Sequence, residues 1–266
     1  MMMRGWRALL RKEFLDLVRN RTVLLPVGVI TIIALMLAFG ITIVQPALTG
    51  QRLSEDSDLR RVSALVIADG NLSGDGRVQL FLFEQFLLLF LVIPITGAMA
   101  LAAHAVVGEK QAGTLEPLLA TPITTFELLV AKVLGALIPT FVISLIGLAL
   151  YLAGIVIVAE PGVAGAMLSA RTAVLILIVG PAVALVALQA AIVISSRVND
   201  ARTAQQFGAV IVIPLSALLV AQFMGAVWLS STGLAWIGLG LFSFWLLLTL
   251  LSVALFERES ILTRWR

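Results

Sequence analysis

The sequence predicts an all-α membrane protein with six transmembrane helices, and three observations carry that expectation. Of the 266 residues, 61% are hydrophobic and 12% are charged. A typical soluble domain is about 25% charged and no more than about half apolar, so no water-soluble core would hide this much apolar surface. The charges are also bunched, leaving five stretches without Asp, Glu, Lys or Arg, at 22–51, 85–108, 133–159, 172–196 and 203–256. These stretches are long and uniformly apolar, whereas barrel strands are short and alternate apolar with polar. Backbone groups find no water in lipid, so such runs must be helices.

A crossing takes about 20 apolar residues. The first four stretches therefore hold one span each and the fifth holds two, divided at GAVWLSSTG (225–233). The expected limits are 23–46, 82–107, 133–158, 172–195, 207–228 and 234–256, giving a six-helix transmembrane domain over 22–256.

Ahead of the first span, residues 1–21 read as an interfacial amphipathic helix. Trp6, Leu9, Leu10, Phe14 and Leu17 share one helical arc, with Arg4, Arg7, Arg11 and Arg19 on the other side. Leu15 falls on the polar side and Glu13 inside the apolar arc, where a carboxylate needs a partner, either a neighbouring Arg or another protein. A basic anchor on anionic lipid and a docking element are both consistent with this pattern. A cleavable signal peptide is not, because the following apolar run is too long and no small-residue cleavage pattern occurs.

Lys and Arg then orient the chain. With the N-terminus in the cytoplasm, inner segments hold 13 of the 18 basic residues and outer segments hold five: Arg52, Arg60, Arg61, Arg77 and Arg171. Both termini, including the tail at 257–266, are therefore expected inside a prokaryotic cytoplasmic membrane. The net charge of +3 reflects this bias and implies no nucleic-acid partner. With no cysteine, disulfides and thiolate metal sites are excluded.

The outer segment at 49–79 is polar, with turn chemistry in ADGNLSGDG (68–76). It reads as a solvated connector, with a lid over an outer opening as the alternative.

The inner segment at 109–124 carries the strongest local signals. Glu109-Lys110-Gln111 marks the water boundary, and Gly113 permits a sharp change of direction. Thr114 is a good N-cap, Glu116 complements the helix dipole in the first turn, and Pro117 is tolerated there. The helix through Leu118, Leu119 and Ala120 stops at Thr121-Pro122, and Thr124-Thr125-Phe126-Glu127 opens the next with a capping box. Leu115, Leu118 and Leu119 form an apolar knob that either packs on neighbouring helix ends or docks to a partner.

The pattern EKQAGTLEPLLATP (109–122) resembles the loop between spans two and three in membrane subunits of type-2, exporter-type ABC transporters, especially permeases similar to the NosY and NatB proteins. RKEFLDLVRNR (11–21) is similar to their elbow helix, and RTAQQFGAVIVIP (202–214) to the start of their fifth span. The resemblance implies a permease subunit whose coupling helix (Glu109, Gly113, Thr114, Leu115, Glu116, Leu118, Leu119) and elbow helix (Glu13, Asp16, Arg19) seat in an ABC ATP-binding subunit. It further implies pairing with a second permease copy, a surround of membrane lipid, and ATP and Mg held by the partner subunit with no cofactor in this chain. Gln111 stands where an acidic or basic residue is frequent.

The chain has no GxxxxGK[ST] phosphate loop and no soluble region large enough to hold one, so no ATPase activity of its own is expected. The competing class is an ion-coupled secondary transporter or channel, which commonly carries ionisable groups at mid-membrane depth. The central parts of the expected spans lack them: Glu84 is expected near the outer end of span two, and His104 near the inner end. Pro94, Pro139, Pro181 and Pro214 lie within spans and are candidates for kinks. No metal-ligand cluster is present, and the cargo is not specified. The same helices suit an apolar cargo or force transmitted to an extracytoplasmic partner.

Overall fold

A computed structural model describes residues 15, 21–65, 72–97, 99–100, 113, 125–197, 206, 213–214, 216–218 and 220–255. Among these the regular structure is helical throughout. Helix α1 (Arg21–Phe39) continues through a π-helical turn at Gly40–Val44 into Gln45–Thr49 and ends at Gly50, whose left-handed φ of 69° closes the C-cap. A 3-10 turn (Leu53–Glu55) and a short helix α2 (Ser57–Ser63) follow. Helix α3 starts at Gly74 under a Ser73 N-cap and runs as an apolar helix to Gly97. Helix α4 (Thr125–Val158) is the longest. A short α5 (Val163–Met167) leads to α6, which joins Ala170–Val174, a second π-helical turn at Leu175–Val179, and Gly180–Arg197. Helix α7 (Ser231–Leu255) closes the described chain.

Five of these helices are long and apolar enough to cross a membrane: Leu24–Thr49, Gly74–Gly97, Val130–Val158, Ala170–Ile194 and Ser231–Ser252. They correspond to the first four and the last of the expected spans. The expected span at 207–228 falls largely outside the described residues; 213–214, 216–218 and 220–223 are helical.

One boundary differs from expectation. The second crossing helix begins at Gly74, not near 82, so 74–79 is helix and not connector. The last charge before an apolar run marks a helix end only if that charge needs water. Here Ser73 caps the helix earlier, Arg77 lies exposed on it, and Glu84 is buried with a protein partner.

The breaks in regular α-helix follow proline. A proline at position i has no N–H for the carbonyl at i−4, and its ring crowds that carbonyl. The π-helical turns at Gly40–Val44 and Leu175–Val179 precede Pro46 and Pro181, and the turn at Leu91 precedes Pro94. In each case the distortion covers, or directly follows, the carbonyl left without its usual donor.

Helix α3 is the axis of the bundle. In its most apolar window 89% of residues are buried, against 11% in α7. Helices α1, α4 and α7 present broad apolar faces outward, for example Met36, Ile157 and Trp236. That is the arrangement expected where the surrounding solvent is hydrocarbon.

Two groups of helices are tightly interlocked. In the first, glycines let α1, α3 and α4 approach closely: a Cβ on Gly154 would strike the Phe39 ring, one on Gly147 would strike Thr31, and one on Gly97 would strike Thr140. Tyr151 adds a buried hydrogen bond from α4 to the Phe83 carbonyl of α3 (2.6 Å). In the second group, α6 and α7 pack along their length. Gly238 faces Ile178, and Gln189 Nε2 donates to Ser252 Oγ (2.5 Å).

Candidate functional site

Most residues expected to dock an ATPase lie outside the described residues: Glu109, Thr114, Leu115, Glu116, Leu118 and Leu119 in the inner loop, and Glu13, Asp16 and Arg19 near the N-terminus. His104 also lies outside them. Gly113 is described; it is exposed in a turn with φ +65°. A left-handed backbone of this kind favours glycine.

The structure brings together a different set of residues, at the end of the bundle that carries α2 and α5. Ser169 caps the start of α6, its Oγ accepting from the Thr172 N–H (3.2 Å), and this places Arg171 in the first turn. A cation gains nothing from the dipole at a helix N-terminus. Its position is explained by what it touches. The guanidinium donates from Nη1 to Glu84 Oε2 of α3 (2.5 Å), from Nη2 to Gln222 Oε1 (3.2 Å) and from Nε to the Leu229 carbonyl (3.0 Å). Its Cζ also lies 4.2 Å from the centre of the Trp228 ring, a cation–π geometry. Glu84 and Arg171 are 3% and 8% exposed, so this is a buried pair.

Aromatic rings wall off the pair. Phe81 stacks on Trp228 and meets Phe223 edge-on, and Phe86 also meets Phe223 edge-on. Gln222 Nε2, on the side chain that Arg171 contacts, has no hydrogen-bond partner among the described residues, and neither do the two amide atoms of the buried Gln85.

A second polar lattice ties the connecting segments to α3. The Ser54 N–H donates to Asp75 (2.8 Å), the Glu160 N–H donates to Gln79 (2.9 Å), and the Ser73 hydroxyl donates to the Glu160 carboxylate. Part of the 49–79 segment is thus folded against α3, where the sequence predicts a solvated connector.

Away from this end, an apolar cleft separates α3, α4 and α6. It is lined by residues including Leu87, Phe90, Pro94, Phe141, Leu175 and Pro181. Its one polar lining side chain, Ser144, donates a hydroxyl hydrogen bond to the Thr140 carbonyl (2.8 Å). Among the described residues, no group of three or more His, Cys, Asp and Glu comes together as a metal site would.

The sequence reading assigns Glu84 and Arg171 to span edges and does not pair them. The available signal is one acid and one base of opposite sign, each at the border of an apolar run. Nothing in the sequence marks which of the border charges meet.

Five helices of this length and apolarity among the described residues define a multi-pass membrane protein. The description "ABC-2 family transporter protein" applies to residues 7–237, most of the chain, and the protein belongs to that family. Its members are permease components of ABC transporters and are not themselves catalytic. No curated protein matches the sequence significantly.

Proposed function

We propose that this chain is the membrane-spanning subunit of an ABC transporter, coupling ATP hydrolysis in a separate ATP-binding subunit to export of a cargo or to force transmitted across the membrane. The observation that carries this reading is the EKQAGTLEPLLATP pattern, set in a chain of the ABC-2 family. On this reading the loop helix is the coupling helix and residues 1–21 form the elbow helix. Leu115, Leu118 and Leu119 fill an apolar groove of the ATPase, and Glu109, Thr114 and Glu116 fix the register. Glu13, Asp16 and Arg19 make the second contact, while Gly113 supplies the turn between the membrane helix and the docked helix.

Two copies of the chain pair in lipid, with termini cytoplasmic and the α2/α5 end outside. Closure of two ATPases around nucleotide then moves the docked helices as levers and re-packs the bundle, a shear of packed helices. ATP and Mg belong to the partner.

The test is co-purification of this chain with an ABC ATP-binding subunit from its native membrane, and measurement of permease-stimulated ATPase activity in the complex. Glu116→Lys and Leu118→Asp are expected to lower stimulation at least tenfold while membrane insertion stays intact, since each disrupts the register or the apolar contact on which docking depends. Full stimulation in both variants overturns the docking assignment.

The ion-coupled secondary transporter or channel is the competing reading. It would need an ionisable group at mid-membrane depth; the candidate the sequence offers, His104, lies outside the described residues, and Glu84 is paired with Arg171 at the α2/α5 end.

A further inference from the structure

The buried pair lies between the two interlocked groups of helices. Glu84 belongs to α3, which is joined to α1 and α4 by glycine contacts and the Tyr151 bond. Arg171 belongs to α6, which packs along α7. The other partners of Arg171 lie on the C-terminal side: Gln222, Trp228 and the Leu229 carbonyl. At this end the contact between the groups is therefore ionic and aromatic. Farther along the same boundary, where α3, α4 and α6 face one another, the walls are apolar and leave a cleft.

The two parts of this boundary differ in how readily they separate. Parting apolar walls in a hydrocarbon environment costs little, because lipid tails are as apolar as the surface they would meet. Parting Glu84 from Arg171 would leave a charge without its counter-charge in a dry site, the arrangement in which removing one partner is strongly unfavourable. The pair is buried, with Glu84 3% and Arg171 8% exposed, and the Trp228 ring lies over the guanidinium.

We infer that the Glu84–Arg171 pair is a clamp that holds the two helix groups together at the α2/α5 end, and that they part along the apolar cleft beyond it. The pair is a pivot, not a gate. This inference does not depend on which protein drives the motion and stands apart from the ATPase-docking assignment.

The chain contains no cysteine, so paired cysteines introduce spin labels without competing sites. The experiment uses the full chain in lipid nanodiscs, with one label pair at exposed Arg77 and Thr232 across the clamp. A second pair sits at Leu145 and Ile176 across the cleft. Pulsed electron–electron distance measurements are expected to give one narrow distribution across the clamp and a broader one across the cleft. Glu84→Leu strands the guanidinium and should widen the clamp distribution about twofold, and the exchanged pair Glu84→Arg/Arg171→Glu should narrow it again. If Glu84→Leu does not accumulate in the membrane, Glu84→Gln is measured in its place and must widen the distribution in the same direction. A broad distribution across the clamp in the unsubstituted pair overturns the inference. So does a width that the substitution of Glu84 leaves unchanged, even where thermal stability falls, because the pair would then add stability without controlling the relative motion.

Discussion

Tyr151 of α4 donates its phenolic hydrogen bond to the carbonyl of Phe83 on α3 across 2.6 Å, in a site where Tyr151 is fully buried. The rings of Phe39, Phe83 and Phe90 all lie within 6 Å of the Tyr151 ring, centre to centre. A hydroxyl so placed does what a phenylalanine cannot: it fixes the height of α4 against α3. Tyr151→Phe keeps the ring packing and removes the bond. Hydrogen bonds between membrane helices average about 0.6 kcal/mol and reach about 1.7, and this loss should appear in unfolding by SDS from mixed micelles. An unchanged unfolding curve would mean that ring packing alone sets the height.

The glycines of α4 and α7 divide into those that meet a neighbour and those that meet open space. Gly154 faces the ring of Phe39, while Gly240 has nothing within 4 Å of an added Cβ. Gly154→Ala should destabilise the protein by about 1–3 kcal/mol, the usual cost of overpacking. Gly240→Ala should fall within about 0.5 kcal/mol of the parent. The same SDS titration reads both, and equal effects would contradict the close α1–α4 approach.

Ser252 Oγ accepts from Gln189 Nε2 inside the α6–α7 contact and donates its own hydrogen bond to the Leu248 carbonyl (2.8 Å). Ser252→Ala strands a buried amide and should cost about 1–2 kcal/mol. Adding Gln189→Leu removes the stranded group, so the double variant should regain most of the loss. Additive losses in this cycle would show that the two side chains do not interact.

Asp75 holds the 3-10 turn at Leu53–Glu55 through the Ser54 N–H. Asp75→Ala should release this strap and speed tryptic cleavage at exposed Arg52, Arg60 and Arg61 by roughly an order of magnitude, as local opening becomes easier. The digestion also reports orientation. From the bias of Lys and Arg toward the other side, cleavage is expected in spheroplasts and protection in inverted vesicles. The reverse pattern would place this segment in the cytoplasm.

Much of the helical plan is legible in the sequence because it depends on composition. Any run such as 133–159, long and without charge, must become a helix in lipid whatever its neighbours are. Helix ends are less legible. The start of α3 at Gly74 depends on Ser73 as a cap and on a protein partner for Glu84, and only the cap is local. The π-helical turns are only partly legible: Pro181 is a kink candidate and a π-turn precedes it, but Pro139, another candidate, lies inside unbroken α-helix. The loop at 109–124 is the reverse case. Its helix signals are local and so can be read directly, but its docking role is a proposal, because the described structure covers Gly113 alone among its proposed site residues.

By itself the sequence determined that this is a helical membrane protein and which apolar runs are long enough to cross a bilayer, five of which the structure describes as helices. These follow from solvent, spacing and local capping, all of which act over a few residues. Only the tertiary structure decided which charges meet. Glu84 and Arg171 stand 87 residues apart, and Gln222 stands 51 beyond Arg171. Coulomb attraction carries no record of sequence separation. The glycine contacts and aromatic packing set the geometry in which one acid and one base can share a dry site.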